Sequence, residues 1–212
     1  MDMTVPEYYC NARKEILGLL PPDADKILEI GCGAGATLSF IKSIGKCRWV
    51  GGIELVPEAA KRAGEQLDWL LEGDVEQLEI PLENGSVDVI LCLDVLEHLV
   101  DPWTIISRLH RKLKLGGSLI ASIPNVRNLK IILPLLIRGT WTYEDSGLLD
   151  RTHLRFFTKS SARELVECSG LLVDRIETTG MFGKVAIANS ITLKLFEELF
   201  AVQYLIRAGR EK

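Results

Sequence analysis

The stretch Lys26-Ile-Leu-Glu-Ile-Gly-Cys-Gly-Ala-Gly35 decides how this chain folds. A short apolar strand, Lys26–Ile30, carries the carboxylate of Glu29 near its C-terminal end and runs into glycines at alternate positions, Gly31, Gly33 and Gly35. Glycine has no Cβ, so such a bend adopts left-handed backbone angles and lets a ligand lie against the main chain. Ligands of open α/β sheets bind at the C-terminal ends of the strands, which is where Glu29 stands. The bend therefore implies a site for a nucleoside cofactor.

Outward from this bend, strand-like and helix-like segments alternate, the pattern of βαβ units in a mostly parallel sheet. Upstream, Tyr8 to Leu20 places Tyr9, Ile16, Leu17 and Leu20 at helical spacing before Pro21-Pro22 stops it. Downstream, Thr37–Ile44 reads as a helix, Arg48–Glu54 as a second strand, and Pro57–Leu71 as a helix opened by proline. Gly73-Asp-Val75 reads as a short third strand or its exit. The nearly all-apolar Val87–Leu93 suits a fourth strand covered on both faces. Pro102–Leu113 (helix), Ser118–Ile123 (strand), Ser160–Cys168 (helix) and Leu171–Glu177 (strand) continue the series. Asn125 to about Asp150 interrupts it as an inserted cap. In the tail, Ile191–Phe200 reads as a helix and Val202–Arg207 as a returning strand. Without repeats or linkers, residues 1–212 read as one domain, with 1–22 as an N-terminal lid and 125–158 as the cap.

Composition narrows the partners. With 212 residues, 47% hydrophobic and 25% charged, the chain can bury a sizeable core. A net charge of -4 disfavours nucleic acid bound through a broad basic surface. The five cysteines are scattered and never spaced C-x-x-C, which fits a reducing cytoplasm better than a disulfide framework or zinc site. The N-terminus lacks a signal pattern, and no apolar run reaches the roughly 18–20 residues of a membrane span. The nearest, Leu129–Ile137, is interrupted by Pro134. It reads as a buried or lid helix, as a greasy wall for an amphiphilic acceptor, or as a surface that touches lipid.

Two cofactor readings compete at the bend. Gly31-x-Gly33-x-x-Ala36 satisfies a dinucleotide fingerprint, whereas Glu29-x-Gly31-x-Gly33-x-Gly35 is the acidic-first pattern of sheets that bind S-adenosylmethionine. Glu54, closing the second strand, can accept from both hydroxyls of a ribose in either case. Asp74 offers a carboxylate to an adenine amino group. A dehydrogenase needs a second, substrate domain, and no stretch here is long enough to supply it.

Leu28-Glu-Ile-Gly-Cys-Gly-Ala-Gly35, Gly52-Ile-Glu54, Gly73-Asp-Val75, Leu93-Asp-Val-Leu-Glu-His98 and Leu115-Gly-Gly-Ser-Leu119 follow one another in order and spacing. In them the chain resembles the class I S-adenosylmethionine-dependent methyltransferases over most of its length. The resemblance implies a Rossmann-like α/β fold: a seven-stranded, mostly parallel sheet with helices on both faces and the last strand antiparallel. It further implies that Glu29, Gly31, Gly33 and Gly35 line the methionine end of the donor and that Glu54 with Leu55 holds the ribose. Asp74 and Val75 would flank adenine, while Leu93 and Asp94 would border the donor from the fourth strand.

Methyl transfer asks mainly for alignment of acceptor, methyl and sulfur, and such orientation corresponds to effective molarities of ~10⁵–10⁸ M. A hydroxyl acceptor also gains from a base of suitable pKa and reach. Of the three histidines, His98 follows the fourth strand one helical turn beyond Asp94 and beside Glu97. These three read as a local hydrogen-bond network or as a divalent-metal site. An acid-x-x-Glu-His cluster of this kind resembles one in ubiquinone-pathway O-methyltransferases, although the first acid here is Asp. Leu149-Asp-Arg-Thr-His-Leu-Arg-Phe-Phe-Thr158 packs charge beside aromatics just after the cap. It reads as structural, with Arg–Asp pairs pinning the cap and Phe156-Phe157 entering the core, or as functional, with His153 as general base or acceptor ligand and Arg151 nearby. Tyr8-Tyr9, Ser122–Asn125, Gly139–Tyr143 and Asp150–Phe157 together resemble a bacterial small-molecule subgroup linked with glycan and lipid pathways. On that likeness Asn125, Trp141, Tyr143 and Arg151 would face the substrate. Tyr8, Tyr9 and Arg13 read as a lid over the substrate and donor, with the Arg13 guanidinium meeting the methionine carboxylate, or else as an apolar helix face at Tyr9 with Arg13 solvated. The expected partner is a small-molecule acceptor, on a sugar, lipid-linked or quinone-like compound. A macromolecular acceptor and a donor-binding module without turnover remain as alternatives.

Overall fold

The strand that carries Glu29 is the third of a seven-stranded sheet of order β3-β2-β1-β4-β5-β7-β6, beside the central strand. The computed structural model describes residues 11–180 and 196–211. β1 (Lys26–Ile30) pairs in parallel with both β2 (Trp49–Glu54) and β4 (Val87–Leu93). The chain thus builds outward through β2 to β3 (Trp69–Glu72), then crosses back to the other side of β1. That reversal opens a crevice at the C-terminal ends of β1 and β4, the position where open α/β sheets bind ligands. β5 (Leu113–Pro124) continues in parallel beyond β4. The last strand, β7 (Gln203–Gly209), is antiparallel to both β5 and β6 (Leu172–Thr179), between which it lies.

Two apolar cores cover the two faces. On one, Leu28, Ile30, Ile90 and Cys92 pack with Ile105 and Leu109 of α3 (Pro102–Lys112) and Ala162 and Leu165 of α5 (Lys159–Glu167). On the other, Ile27, Val89, Leu91 and Leu93 meet Leu38 and Ile41 of α1 (Ala36–Ser43). Adjacent residues of β1 and β4 therefore serve opposite cores, as the twofold alternation of a strand requires. α4 (Leu129–Arg138) belongs to the segment after β5, and α6 (Glu197–Phe200) precedes β7. Among the described residues no helix is long and apolar enough to cross a membrane.

Several boundaries differ from the sequence reading. The helix expected over Pro57–Leu71 stops as α2 (Pro57–Gly64), and the third strand is Trp69–Glu72 rather than Gly73–Val75. Leu67, Leu70 and Leu71 mimic a helical stripe, but the backbone of Trp69–Glu72 hydrogen-bonds along Gly51–Glu54 of β2, and Trp69 stacks 6.4 Å from Trp49. Gly73-Asp-Val75 is the exit from that strand, the second of the two readings its sequence allows. The helix expected over Tyr8–Leu20 is, within the described residues, a 3-10 turn at Lys14–Gly18. β5 begins earlier than Ser118, because Val87 pairs with Leu113 and Val89 with Ser118 around an extruded Lys114–Gly117. Most of Ile191–Phe200 lies outside the described residues, and its final turn, Glu197–Phe200, is helical.

Candidate functional site

A single cavity of about 910 Å³ occupies the crevice above β1 and β4. That volume falls in the range of small-molecule and cofactor sites. Glu29, Gly31, Gly33, Glu54, Leu55, Asp74, Val75, Leu93 and Asp94 all line it. So do Arg13, Glu97, His98, Arg151 and His153.

The bend after β1 does what its glycines permit. Gly31 and Gly33 have φ of 69° and 55°, the left-handed region that glycine alone adopts without strain. Glu54 ties the bend down: its Oε2 accepts from the Gly33 amide at 2.8 Å and its Oε1 from the Val56 amide at 2.8 Å. Gly35 does not reach the cavity. It caps α1 at φ 82°, and a Cβ there would press on Leu67 at 3.2 Å, so this third glycine serves the packing of helix against strand.

Glu29 is 3% exposed, and its Oε2 has no hydrogen-bond partner. Burial pushes its carboxyl up to about 8, with the charge of Glu54 adding to the shift and Arg13 opposing it. The main chain at Gly31 and Gly33 carries no side chain into the cavity beside it.

Asp94 shows backbone strain: its φ of 55° puts a non-glycine residue in the left-handed region. Its carboxylate accepts from Gln203 Nε2 at 2.7 Å, from the Ser122 hydroxyl and from the Arg13 guanidinium. Four segments thus converge at the tips of β4, β5 and β7. With its carboxylate so engaged, Asp94 does not join Glu97 and His98. The third member of that cluster is His153, and one ligand atom from each of Glu97, His98 and His153 lies within 4.8 Å of the others. Those three, not Asp94, are the residues a divalent ion would use.

The cap brings His153 to this place. Amides of Leu154 and Arg155 donate to the Glu97 carbonyl at 2.8 and 3.0 Å, docking the segment on the turn after β4. His153 is 8% exposed; its Nδ1 faces the Leu148 carbonyl at 3.3 Å and its Nε2 stands 4.0 Å from Glu97 Oε1. Burial, with the neighbouring His98 charge, lowers its pKa and favours the neutral ring. An Nδ1–H donated to Leu148 leaves Nε2 as the bare, basic nitrogen. His98 Nδ1 faces the Thr152 carbonyl at 3.2 Å and hydroxyl at 3.0 Å, and the two imidazoles meet edge to face at 4.8 Å. The Glu97 carboxyl is 1% exposed with neither oxygen hydrogen-bonded, and burial with the Asp94 charge raises it.

Other expected positions lie elsewhere. Asn125 is fully buried, and its amide donates to the carbonyls of Glu198 and Ala201 at 2.6 and 2.9 Å. Trp141 packs on Phe156 at 5.1 Å and Tyr143 is half-exposed, both off the cavity wall. Arg151 reaches the wall while pairing with Asp145 at 2.7 Å. Tyr9 lies outside the described residues. Sequence reasoning missed Gln203, which antiparallel pairing sets opposite Pro124, and Leu148 and Thr152, whose carbonyls orient the histidines. No spacing rule signals a residue that acts through its carbonyl.

A glycine bend over a reversal in strand order, rimmed by Glu29, Glu54 and Asp74, defines a nucleoside-binding α/β protein. Residues 28–121 match the family model of a methyltransferase domain. A ubiquinone biosynthesis O-methyltransferase from Xanthomonas oryzae pv. oryzae is 30% identical over 182 residues, 78% of this chain and 71% of that protein. One from Xanthomonas axonopodis pv. citri is 30% identical over 171 residues, 73% and 69% of the two chains. A SAM-dependent methyltransferase from Archaeoglobus fulgidus shares the fold at a TM-score of 0.68 and 20% identity, over 96% of each chain. The chain belongs to the class I S-adenosylmethionine-dependent methyltransferases, and S-adenosylmethionine is its cofactor.

Proposed function

We propose that the enzyme methylates a hydroxyl of a small molecule, with His153 as the base that takes the hydroxyl proton. The observation that carries this reading is the continuity of one cavity from the glycine bend, Glu54 and Asp74 to His98 and His153. The cofactor supplies an electrophilic methyl on a positive sulfur. The chain's own residues do the rest. Glu29 meets the ammonium, Glu54 the ribose hydroxyls, and Asp74 and Val75 the adenine. His153, neutral and held at Nδ1 by the Leu148 carbonyl, presents Nε2 to the acceptor, with His98 packed edge to face against the ring and the Glu97 carboxyl 4.0 Å from Nε2. Arg151, at the mouth, contacts the incoming acceptor. Within the cap, Asp145 to His153 form the acceptor side.

The relatives' name, an O-methyltransferase of ubiquinone biosynthesis, favours a hydroxyl on a quinone-like ring over an amine or a macromolecule. The acidic net charge of -4 speaks against nucleic acid. The test is transfer of labelled methyl to a panel of phenolic, quinone-like and sugar hydroxyls, in the presence and absence of a strong chelator. General-base catalysis contributes typically 10²–10⁴-fold, so His153→Ala is expected to lower kcat by about a hundredfold or more, with donor affinity nearly unchanged. Turnover is expected to persist in chelator. Full activity of His153→Ala would remove His153 from the chemistry, and loss in chelator restored by a divalent cation would assign the Glu97, His98 and His153 cluster to a metal. Donor bound tightly with no transfer to any acceptor would instead favour a binding module.

A further inference from the structure

Two loops at opposite ends of the cavity are tied to each other through Glu76. The first leaves β3 and brings Asp74, Val75 and Glu76 to the donor end. The second runs from the 3-10 turn Leu96–His98 to Asp101, where α3 begins, and brings Glu97 and His98 to the acceptor end. The Glu76 carboxylate accepts from the amides of Val100 and Asp101 at 3.0 and 2.8 Å, one on each oxygen. Bonds from an amide to a carboxylate are stronger than those between neutral groups. The Glu76 amide in turn donates to Asp74 Oδ1 at 2.9 Å, so its carboxylate is aimed from a tight turn. Arg108 of α3 closes the grip, donating to the Val75 carbonyl at 3.0 Å and to the Leu78 carbonyl.

The cap holds the same turn from its other side. Leu154 and Arg155 donate their amides to the Glu97 carbonyl, and the Arg155 guanidinium donates to the Val100 carbonyl. Val100 is therefore bound by its amide to the donor loop and by its carbonyl to the cap. Its side chain is 62% exposed, so main-chain bonds rather than packing fix its place. Starting α3 does not require Glu76, because the helix has its own cap: Asp101 accepts from the Thr104 amide at 3.1 Å.

We propose that Glu76 is a positioning residue that couples the two ends of the cavity. Adenine against Asp74 and Val75 stiffens the donor loop, and Glu76 passes that order through Val100 to the turn bearing Glu97 and His98 and on to the cap at Leu154 and Arg155. The inference rests on the adenine placement given under the proposed function. A second ligand that enters an already ordered site gives up less conformational freedom. The coupling thus favours donor before acceptor, with the histidines set in place before the acceptor arrives.

The test is hydrogen–deuterium exchange of the full chain with and without saturating S-adenosylhomocysteine, which carries the donor's adenine. Leu154 and Arg155 stand off the cavity wall, so slower exchange of their amides reports ordering and not direct shielding. In the wild type the ligand is expected to slow exchange over residues 74–78 and, by about fivefold or more, at 154–155. In Glu76→Ala the effect over 74–78 is expected to remain and that at 154–155 to vanish. Asp101→Ala removes the cap of α3 and leaves both Glu76 bonds. It is expected to lower the melting temperature yet keep the ligand's effect at 154–155, which separates coupling from a plain loss of stability. Protection at 154–155 that survives Glu76→Ala overturns the proposal, as does a wild type slowed over 74–78 and not at 154–155. Bound ligand that slows neither segment overturns the placement of adenine, and the coupling with it.

Discussion

Glu29 is where sequence, burial and chemistry meet most closely. A carboxyl that titrates at about 8 in the fold and near 4.5 in the open chain binds a proton in the folded state that the unfolded chain has released. Between those values the folded state holds more protons, so this group costs stability progressively as pH rises from about 4.5 to 8. A cationic ligand reverses the balance by favouring the ionised form. Donor binding at pH 7 is therefore expected to release close to one proton, and affinity to rise with pH up to about 8. Calorimetry in buffers of different ionisation enthalpy measures that release directly. A binding enthalpy independent of buffer would detach Glu29 from the donor's ammonium. Glu29 was legible from its place before the glycines. Its protonation was not, because it arises from the walls that other segments close around it.

At the scale of elements, the segment after β5 is held by side-chain amides at its root. Asn125 and Asn128 reach the carbonyls of Glu198, Phe200 and Ala201 and so lock α4 to α6, while the Val126 amide donates to the Phe157 carbonyl at 3.0 Å. A buried carbonyl left without its donor costs about 1–3 kcal/mol. Asn125→Ala is expected to lower stability by that amount in chemical denaturation while leaving donor affinity unchanged. An unchanged unfolding midpoint would argue that the clamp is dispensable. The alternation of strands and helices was readable wherever each element had its own period and stop, as in Val87–Leu93 and Pro102–Lys112. It failed at Trp69–Glu72, a four-residue strand whose apolar spacing continues that of the preceding helix. Only the backbone partners along β2 decide between the two.

For the whole molecule, β7 is the closing piece. It lies between β5 and β6, and Tyr204, Leu205, Ile206 and Ala208 are all buried. Removing residues 203–212 would strip hydrogen bonds from both neighbours and open both cores at once. The shortened chain is expected to lose its cooperative thermal transition, followed by circular dichroism, whereas a retained sharp transition would show that the sheet closes without β7. Gln203, at the start of this strand, also completes the hydrogen bonds around Asp94, so the end of the chain shapes a site announced near its beginning. The local chain by itself determined the glycine bend, the acids Glu29, Glu54 and Asp74, and the alternation that makes a parallel sheet, because backbone freedom and residue periodicity act over a few neighbours. Tertiary structure alone decided that His153 rather than Asp94 joins Glu97 and His98, that Gly35 serves packing, and that α4 buries Ile131 and turns Leu136 and Ile137 outward. Each of these depends on which distant segments come to lie against one another, and that is settled by the burial of the two cores and not by any local spacing.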